Sequence, residues 1–316
     1  MMEHDILPLL ESAIKKREAL KGSTNAIRLV NGFGDGLEGL VLEQYGQHVL
    51  AQVFDESWLK RQEMLARFVR EELLAEYFII KDRTQSASSK PDAIRSSVLM
   101  DGGSSKTIVE ENGIKFEVDL NDTLNTGLFL DMRSNRRHVT ERAKGRKVLN
   151  TFSYTCSFGV YARAHGAVAV VNVDISRKNL DRGRINYELN HLPSAENEFI
   201  RADAVQYLER AVKKDNRFDM IILDPPSFAR YEGEIFSVKK DMPRLLEMAI
   251  RVLNPEGILF VATNFTEMSH DHLEGMLETA AGDRVIKKVE RLGQDVDFVG
   301  SGLMLESYLA ALLVEL

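Results

Sequence analysis

The chain has 316 residues, 44% of them hydrophobic, and a formal net charge of −7 at pH 7. This length and composition allow two ordinary globular cores, and the acidic balance argues against a generally polycationic nucleic-acid binder while leaving room for a local basic patch. The single cysteine excludes an internal disulfide and a thiolate metal cage, and the apolar run YLAALLV is too short to span a bilayer, so we expect a cytoplasmic protein outside membranes.

The N-terminal part of the chain predicts a small α+β domain. Strand-like segments alternate with glycine-rich turns over residues 27–54, an amphipathic segment at 56–77 has apolar residues at helical spacing, and FIIKDR then predicts a further strand. Residues 84–106 are rich in serine, glycine and charge, so we interpret them as the connection between domains. The first domain is therefore predicted over residues 1–105.

The remainder, residues 106–316, predicts a second and larger domain. It opens with a hairpin over residues 106–120 that turns at Asn112-Gly113. From residue 146 onward strand and helix patterns alternate, and the strand segments are KVLNTF, AVAVVNVD, NEFIRAD, FDMIILD, GILFVAT and the terminal pair RVIKKVERL and YLAALLVEL. This alternation is typical of a doubly wound, Rossmann-like α/β sheet, here with an antiparallel last strand.

Three aspartates follow three successive strands of the predicted sheet: Asp174, Asp203 and Asp224. Open α/β sheets bind ligands at the carboxyl ends of their strands, and an acidic residue about 20 positions beyond the first βα turn can accept hydrogen bonds from ribose hydroxyls. The turn NTFSYTC lacks the glycines that let backbone amides approach a pyrophosphate, which favours an adenosine ligand without phosphates, such as S-adenosylmethionine. Taken alone, Asp174 could instead be a polar strand end or a helix N-cap, and Asp203 could be a helix N-cap.

The stretch IILDPPSFAR, residues 221–230, ends a strand at two adjacent prolines. Its first three residues form a continuous apolar run that is typical of a buried parallel strand. Pro225 and Pro226 then end the strand and stiffen the loop, because neither can donate a ladder hydrogen bond. In this loop Asp224 or the Pro225 carbonyl can accept from a base, and Phe228 can stack on its ring, although Phe228 could also belong to the core.

Four segments resemble one known family: TGLFLDMRSNRR (126–137), VLNTFSYTCSFGVYA (148–162), VNVDIS and ILDPPSF. They are similar to segments of the bacterial class I S-adenosylmethionine-dependent methyltransferases that modify large-subunit ribosomal RNA, in which a small strand-rich domain precedes the methyltransferase fold. The resemblance runs from about Asn25 to the end of the chain. Many members begin with an RNA-binding PUA domain, for which we expect no room here, and many have glycine where this chain has Cys156-Ser157.

The resemblance implies S-adenosylmethionine as cofactor, with Asp174 at its ribose and Asp203 at its adenine, and 23S ribosomal RNA as partner. It implies no membrane partner and leaves a homodimer open. The cofactor-binding residues are then Thr126, Phe129, Asp131, Arg133, Asn150, Phe152, Tyr154, Asp174, Ser176, Asp203, Ala204 and Asp224. The catalytic residues are Asp224, Pro225, Pro226 and Phe228. The first domain is expected to serve RNA docking or dimer contact without touching the reacting methyl group.

The position of the single cysteine limits the methyl-transfer mechanisms that this chain could use. Methylation at C5 of a pyrimidine requires a thiolate that attacks C6, yet the loops after strands four and five, DPPSFARYEG and ATNFTEMSHDH, contain no cysteine. Cys156 follows the first strand, and we interpret it as a packing residue. Methylation of a ring nitrogen mainly requires that this nitrogen be aligned with the sulfonium methyl group. The segment ATNFTEM, which contains Asn264, resembles the corresponding segment of the guanine-N7 branch of the family. We therefore predict direct methylation of a purine ring nitrogen, guanine N7.

Other functions stay open at this point. The chain could be a 5-methylcytosine ribosomal RNA methyltransferase, a methyltransferase of a protein amide or a small molecule, or a non-catalytic RNA-binding factor. The run RSNRRHVTERAKGRK, residues 133–147, holds seven Lys/Arg against one Glu, and it suits phosphate contacts as well as a solvated helix face. The histidines are scattered, and they predict no metal site.

Overall fold

The computed structural model describes residues 3–84, 95–123, 125–231, 234–300 and 308–316. The chain divides into two compact units. The first unit comprises Met1–Arg133 and Asp295–Glu306, and the second comprises Ser134–Gln294 and Ser307–Leu316. The second unit therefore begins later than the predicted residue 106, and a C-terminal segment returns to the first unit. Among the described residues, no helix combines the length and the apolar character needed to cross a membrane.

The first unit is a sheet with helices packed on one face. Its described helices are α1 (Glu3–Lys16), α2 (Glu56–Leu59) and α3 (Gln62–Glu72). Its described strands are β1 (Ala26–Asn31), β2 (Leu40–Tyr45), β3 (His48–Val53), β4 (Tyr77–Asp82), β5 (Arg95–Met100), β6 (Lys106–Glu111) and β7 (Ile114–Asp119). The first five form one sheet in chain order, and alternate residues along them pack against apolar side chains of α1 and α3, such as Leu10 and Leu65.

Two predictions for this region are corrected by the structure. The amphipathic segment 56–77 is not one helix, because α2 and α3 are separated by Lys60 and Arg61 and the second helix ends at Glu72. Residues 95–100 belong to the predicted interdomain connection, but they form β5 and pair antiparallel with β4. The part of that connection at 85–94 lies outside the described residues.

The hairpin of β6 and β7 forms as predicted, but it belongs to the first unit. Thr24 and Glu111 form an antiparallel bridge. On either side of this bridge, the Asn25 amide donates to the Glu110 carbonyl at 3.1 Å, and the Asn112 amide donates to the Ser23 carbonyl at 2.7 Å. These backbone contacts join segments almost ninety residues apart, so the sequence pattern alone could not assign the hairpin to a unit.

The second unit is the doubly wound α/β sheet that the alternation predicted. Its described helices are α4 (Arg133–Thr140, whose first residue counts with the first unit), α5 (Ser157–Ala164), α6 (Arg177–Leu189), α7 (Ala204–Lys213), α8 (Val238–Val252) and α9 (His270–Ala281). Its described strands are β8 (Lys147–Thr151), β9 (Ala169–Asp174), β10 (Phe199–Arg201), β11 (Phe218–Leu223), β12 (Phe228–Tyr231), β13 (Glu234–Ser237), β14 (Leu253–Thr263), β15 (Lys288–Leu292) and β16 (Ala310–Glu315).

The strand order of the large sheet is β10-β9-β8-β11-β14-β16-β15. The first five of these strands are parallel, and the last strand of the chain, β16, pairs antiparallel with both β14 and β15, as predicted for the last strand. Strand β11 lies in the middle, and its residues Ile221, Ile222 and Leu223 are fully buried. A strand covered on both faces reads as a continuous apolar run, which explains the IIL segment.

Candidate active site

Polar residues lie where the parallel strands of the second unit end. Asp174 is the last residue of β9, and Asp203, Asp224 and Asn264 come after β10, β11 and β14. Because the five parallel strands are adjacent, their carboxyl ends lie along one edge of the sheet. This is the edge at which open α/β sheets bind ligands.

The loop after β8 has an unusual backbone. Phe152, Tyr154 and Cys156 have positive φ angles of 52°, 47° and 62°, a conformation that costs side-chain-bearing residues of the order of 1–3 kcal/mol each. Contacts with β9 hold the loop in place, since the Ser153 amide donates to the Val173 carbonyl at 3.0 Å and the Tyr154 amide donates to Asp174 Oδ2 at 2.8 Å. Strain that is maintained in this way is a mark of functional loops.

Asp174 is a buried carboxylate that organises its surroundings. Besides the Tyr154 amide, it accepts from the Ser176 amide at 2.8 Å and from Asn179 Nδ2 at 3.3 Å, both on Oδ1. Burial raises the pKa of Asp174 above its usual value, although these hydrogen bonds oppose the shift. The N-cap of α6 is Ser176 and not Asp174, because the Ser176 hydroxyl accepts from the Asn179 amide. The N-cap alternative for Asp174 is therefore excluded.

Asp203 does cap a helix. Its side chain accepts from the Gln206 amide at 3.0 Å at the start of α7, and Ala204 is the buried first residue of that helix. The capping interpretation of Asp203 is therefore correct, and its additional role at an adenine stays a prediction.

A buried polar chain lies beneath the loop. Asn150 Nδ2 donates to Asn172 Oδ1 at 2.9 Å, and Asn172 Nδ2 donates to the Tyr187 hydroxyl at 3.1 Å. Asn150 is only 2% exposed. One of its amide hydrogens is thus used within the sheet, and its predicted contact with a cofactor is not tested by these bonds.

Cys156 is a packing residue, as predicted. It is fully buried, and burial raises the pKa of its thiol far above the usual value. A Cβ atom added at Gly183 of α6 would collide with its Sγ, which shows how closely helix and loop approach. A neutral thiol without solvent access is a poor nucleophile.

The loop after β11 carries the predicted catalytic residues. Asp224 is partly buried, Pro225 is buried and Pro226 is exposed. Phe228 is 53% exposed, so the alternative that it belongs to the core is excluded. It begins β12, which pairs with β13 in a short hairpin that the sequence analysis did not predict.

Sequence reasoning also missed a polar pair in this loop. The Ser227 hydroxyl donates to Asn264 Oδ1 at 2.7 Å, which links the loop after β11 to the loop after β14. In the sequence alone, Asn264 indicates only a similarity to one branch of the family. Two small polar residues at the ends of neighbouring strands were the available signal.

The other predicted cofactor residues lie in the first unit. The Thr126 hydroxyl donates to the Tyr45 hydroxyl at 3.0 Å, and the backbone carbonyl of Asp131 accepts from the Asp295 amide at 2.9 Å. Phe129 is 43% exposed, as expected of a residue that contacts a ligand or partner. The roles of these residues at a cofactor stay predictions.

Arg133 is buried in an ion-pair network of the first unit. Its guanidinium lies 2.6 Å from Asp297 Oδ1 and 3.2 Å from Asp295 Oδ1, and it donates to the Ala26 carbonyl at 2.9 Å. These partners account for the burial of the charged Arg133 side chain without a bound ligand. Its predicted contact with the cofactor stays a prediction.

The basic run at 133–147 is not a single solvated face. Arg133 and Arg136 are buried, whereas Arg137 is exposed and pairs with Glu141 at 3.0 Å. Within the described parts of the chain, no group of three or more histidine, cysteine, aspartate or glutamate residues could hold a metal ion.

Known proteins that are similar to this chain include several methyltransferases. Residues 82–313 match the family model of S-adenosylmethionine-dependent methyltransferases. Over 72% of the chain, it is 35% identical to ribosomal RNA large subunit methyltransferase K of Neisseria meningitidis serogroup B, and over 95% it is 32% identical to ribosomal RNA large subunit methyltransferase I of Aeromonas salmonicida. The match covers 65% of the 34% identical YwbD protein of Bacillus subtilis and 66% of the Neisseria protein, so the chain spans just under two thirds of these two relatives. It covers 76% of the Aeromonas protein.

The fold has a close counterpart among solved structures. The protein SMU.776, crystallised with SAH (S-adenosylhomocysteine), superposes with a TM-score of 0.90 at 29% identity. The superposition covers all of this chain and 82% of that one.

Proposed function

Since the chain belongs to the family of S-adenosylmethionine-dependent methyltransferases, we propose that it methylates large-subunit ribosomal RNA. The observation that carries this proposal is the row of carboxylates at the strand ends together with the exposed Phe228, in a chain whose relatives are named for that substrate. The proposed target atom is a purine ring nitrogen, guanine N7. The proposal includes a cytoplasmic location, where ribosomal RNA is found.

S-adenosylmethionine is the cofactor, and the residues present suit it. It supplies a methyl group on a positively charged sulfur. Asp174 Oδ2 accepts one hydrogen bond from the described residues, so a lone pair remains for a ribose hydroxyl. The aromatic loop after β8 offers no glycine-lined space for phosphates, in agreement with a phosphate-free adenosine ligand.

We assign the remaining chemistry to the loop after β11. The N7 lone pair of guanine forms the new N–CH₃ bond, the S–CH₃ bond breaks, and its electron pair stays on sulfur. No proton has to leave, and the purine becomes positively charged. Asp224 supplies a carboxylate beside this developing charge, and Phe228 supplies an exposed ring on which a base can stack.

A thiolate mechanism has no support in this chain. The single cysteine is the fully buried Cys156, and burial holds its thiol in the neutral form. We therefore propose transfer without a covalent enzyme–RNA intermediate.

The test is methyl transfer from isotopically labelled S-adenosylmethionine to ribosomal RNA from a strain that lacks the gene. Nucleoside mass spectrometry should find the label in 7-methylguanosine of the large-subunit RNA. Label in 5-methylcytidine would contradict the nitrogen chemistry, and label only in protein or small-molecule fractions would contradict the RNA substrate. Absence of transfer together with absence of cofactor binding in calorimetry would indicate a non-catalytic RNA-binding protein.

Replacement of Asp174 by alanine is expected to weaken S-adenosylmethionine binding about tenfold or more. The reason is that a hydrogen bond to a charged group contributes roughly 1.5–3 kcal/mol. Isothermal titration calorimetry measures the change, and an Asp174→Ala variant with unchanged affinity would remove Asp174 from the cofactor site. Exposed Asp215, after α7, provides a matched aspartate whose replacement should leave the affinity unchanged.

The same carboxylate should make binding depend on pH. Ribose hydroxyls donate to the charged form, and burial raises the pKa of Asp174. Affinity should therefore fall as the pH is lowered through that raised pKa, beginning above the usual range of aspartate. In the Asp174→Asn variant this loss of affinity at low pH should disappear.

We further propose that the first unit docks RNA. It exposes two phenylalanines near the ends of β1 and β3, Phe33 and Phe54, with 57% and 53% of their surface accessible. Stacking of a base on an aromatic ring contributes about 1–3 kcal/mol. The Phe33→Ala, Phe54→Ala double variant should therefore bind a large-subunit RNA transcript at least tenfold more weakly in filter binding, with unchanged affinity for the cofactor.

Leu74→Ala is the control for this pair, because Leu74 is an exposed apolar residue of the same unit without an aromatic ring. It should leave RNA affinity unchanged. If the double variant alters only the sedimentation coefficient of the protein, the first unit serves dimer contact instead.

A further inference from the structure

The hydrogen bond between Ser227 and Asn264 joins the loops that follow two neighbouring strands of the sheet. Strands β11 and β14 are parallel neighbours, with Leu223 in register with Val261, so the residues that follow them come close together. The Ser227 hydroxyl holds Asn264 Oδ1 at 2.7 Å, and the Ser227 carbonyl accepts from the Val238 amide at the start of α8 at 3.2 Å. Asn264 is thereby held at an exposed strand end.

This hydrogen bond fixes the orientation of the side-chain amide of Asn264. A carboxamide has an acceptor oxygen and a donor NH₂ group. When Oδ1 is engaged by Ser227, the NH₂ group is the end that remains for another partner. Three residues before Ser227, the carboxylate of Asp224 is an acceptor. The loop after β14 thus carries a donor, and the loop after β11 carries the partly buried carboxylate of Asp224 and the exposed ring of Phe228.

We propose that Asn264 and Asp224 together read the Watson–Crick edge of a guanine, and that Ser227 is the positioning residue that sets the orientation of the Asn264 amide. This inference rests on the proposed function and names its base. Guanine presents the O6 acceptor next to the N1–H donor, which matches Asn264 Nδ2–H and the Asp224 carboxylate in that order. These two contacts leave the N7 lone pair unused, as methyl transfer to N7 requires.

The same pair discriminates against other bases. Adenine and cytosine present an exocyclic NH₂ group followed by a ring-nitrogen acceptor, so the Asn264 donor would face a donor and the Asp224 acceptor would face an acceptor. Uracil presents the matching order but has no counterpart of N7. A mismatched polar pair of this kind lowers kcat/KM roughly tenfold to a hundredfold.

The decisive variant is Asn264→Asp, which keeps the shape of the side chain and replaces its donor with an acceptor. With an unmodified transcript of large-subunit ribosomal RNA and labelled S-adenosylmethionine, kcat/KM for guanine methylation should fall at least tenfold. The ratio of label in adenosine to label in guanosine should rise. Ser227→Ala should raise the same ratio because the amide is free to turn, and Ser227→Thr, which retains the hydroxyl, should restore it.

A neighbouring ion pair provides the matched control. Lys239 Nζ lies 2.8 Å from Glu267 Oε2, and this exposed pair links the first turn of α8 to the loop after β14 without a predicted base contact. Glu267→Gln should leave the base ratio unchanged, and all variants should bind S-adenosylmethionine with wild-type affinity.

The outcomes separate the inference from the proposed function. If the wild type methylates guanine and Asn264→Asp does so with unchanged kcat/KM and base ratio, the inference is wrong while the function stands. If Glu267→Gln changes the ratio as much as Ser227→Ala does, the effect is one of loop stability and the inference is again wrong. If the wild-type protein labels only a pyrimidine or no RNA, both are overturned.

Discussion

Asp224→Ala should lower the rate of methyl transfer about a hundredfold or more at saturating RNA and cofactor. Two effects contribute to this loss. The carboxylate orients the target base, and misplacement by about 1 Å can cost two orders of magnitude. It also stabilises the positive charge that develops on the purine, and removal of one such electrostatic contact typically costs a hundredfold to a thousandfold. Single-turnover kinetics with labelled cofactor measures the effect.

Cys156→Ser is the control that separates this mechanism from thiolate chemistry. The serine hydroxyl fits the site, since Sγ of Cys156 already lies 3.8 Å from both Ser153 Oγ and the Tyr154 carbonyl. Turnover should therefore be largely retained. Wild-type turnover in Asp224→Ala would remove Asp224 from the mechanism. A covalent adduct with a 5-fluoropyrimidine RNA that is lost in Cys156→Ser would restore the C5 mechanism.

The sequence predicted the second unit well because its signals are local. A continuous apolar run such as Ile221–Leu223 identifies a strand that is covered on both faces, and the following prolines fix where it ends. The aspartates at the strand ends then require only the rule that parallel strands finish on one edge. Each of these inferences uses residues that are adjacent in the chain.

What the sequence did not predict depends on residues far apart or on unfavourable conformations. Positive φ angles at Phe152, Tyr154 and Cys156 oppose the intrinsic preference of those residues, so propensity could not indicate them. Neither could a charge run show that Arg133 is buried, because its partners Asp295 and Asp297 come more than 160 residues later. The run instead indicated a solvated helix face or phosphate contacts, because runs of like charge usually face solvent.

Arg133→Met should destabilise the first unit by about 3–5 kcal/mol, which is the cost of leaving buried charges without their partner. The side chains of Arg133, Asp295 and Asp297 are at most 3% exposed. Urea unfolding followed by the fluorescence of Trp58 measures the change within this unit, because Trp58 is the single tryptophan of the chain and is buried there. Arg137→Met is the matched control on the same helix, since its exposed pair with Glu141 should contribute little.

The loss of stability in Arg133→Met should also depend on pH. Burial raises the pKa of Asp297 in the folded protein even while Arg133 opposes the shift, so removal of the arginine raises it further. A carboxyl whose folded pKa lies above its unfolded pKa lowers stability most at pH values above the folded pKa, and this cost vanishes as the pH falls towards the unfolded pKa. The loss of stability caused by Arg133→Met should therefore be larger at neutral pH than in mild acid. Adding Asp297→Asn to the Arg133→Met variant should reduce this difference between the two pH values. A variant of wild-type stability at neutral pH that has lost affinity for S-adenosylmethionine would instead place Arg133 at the cofactor, as the family resemblance implied.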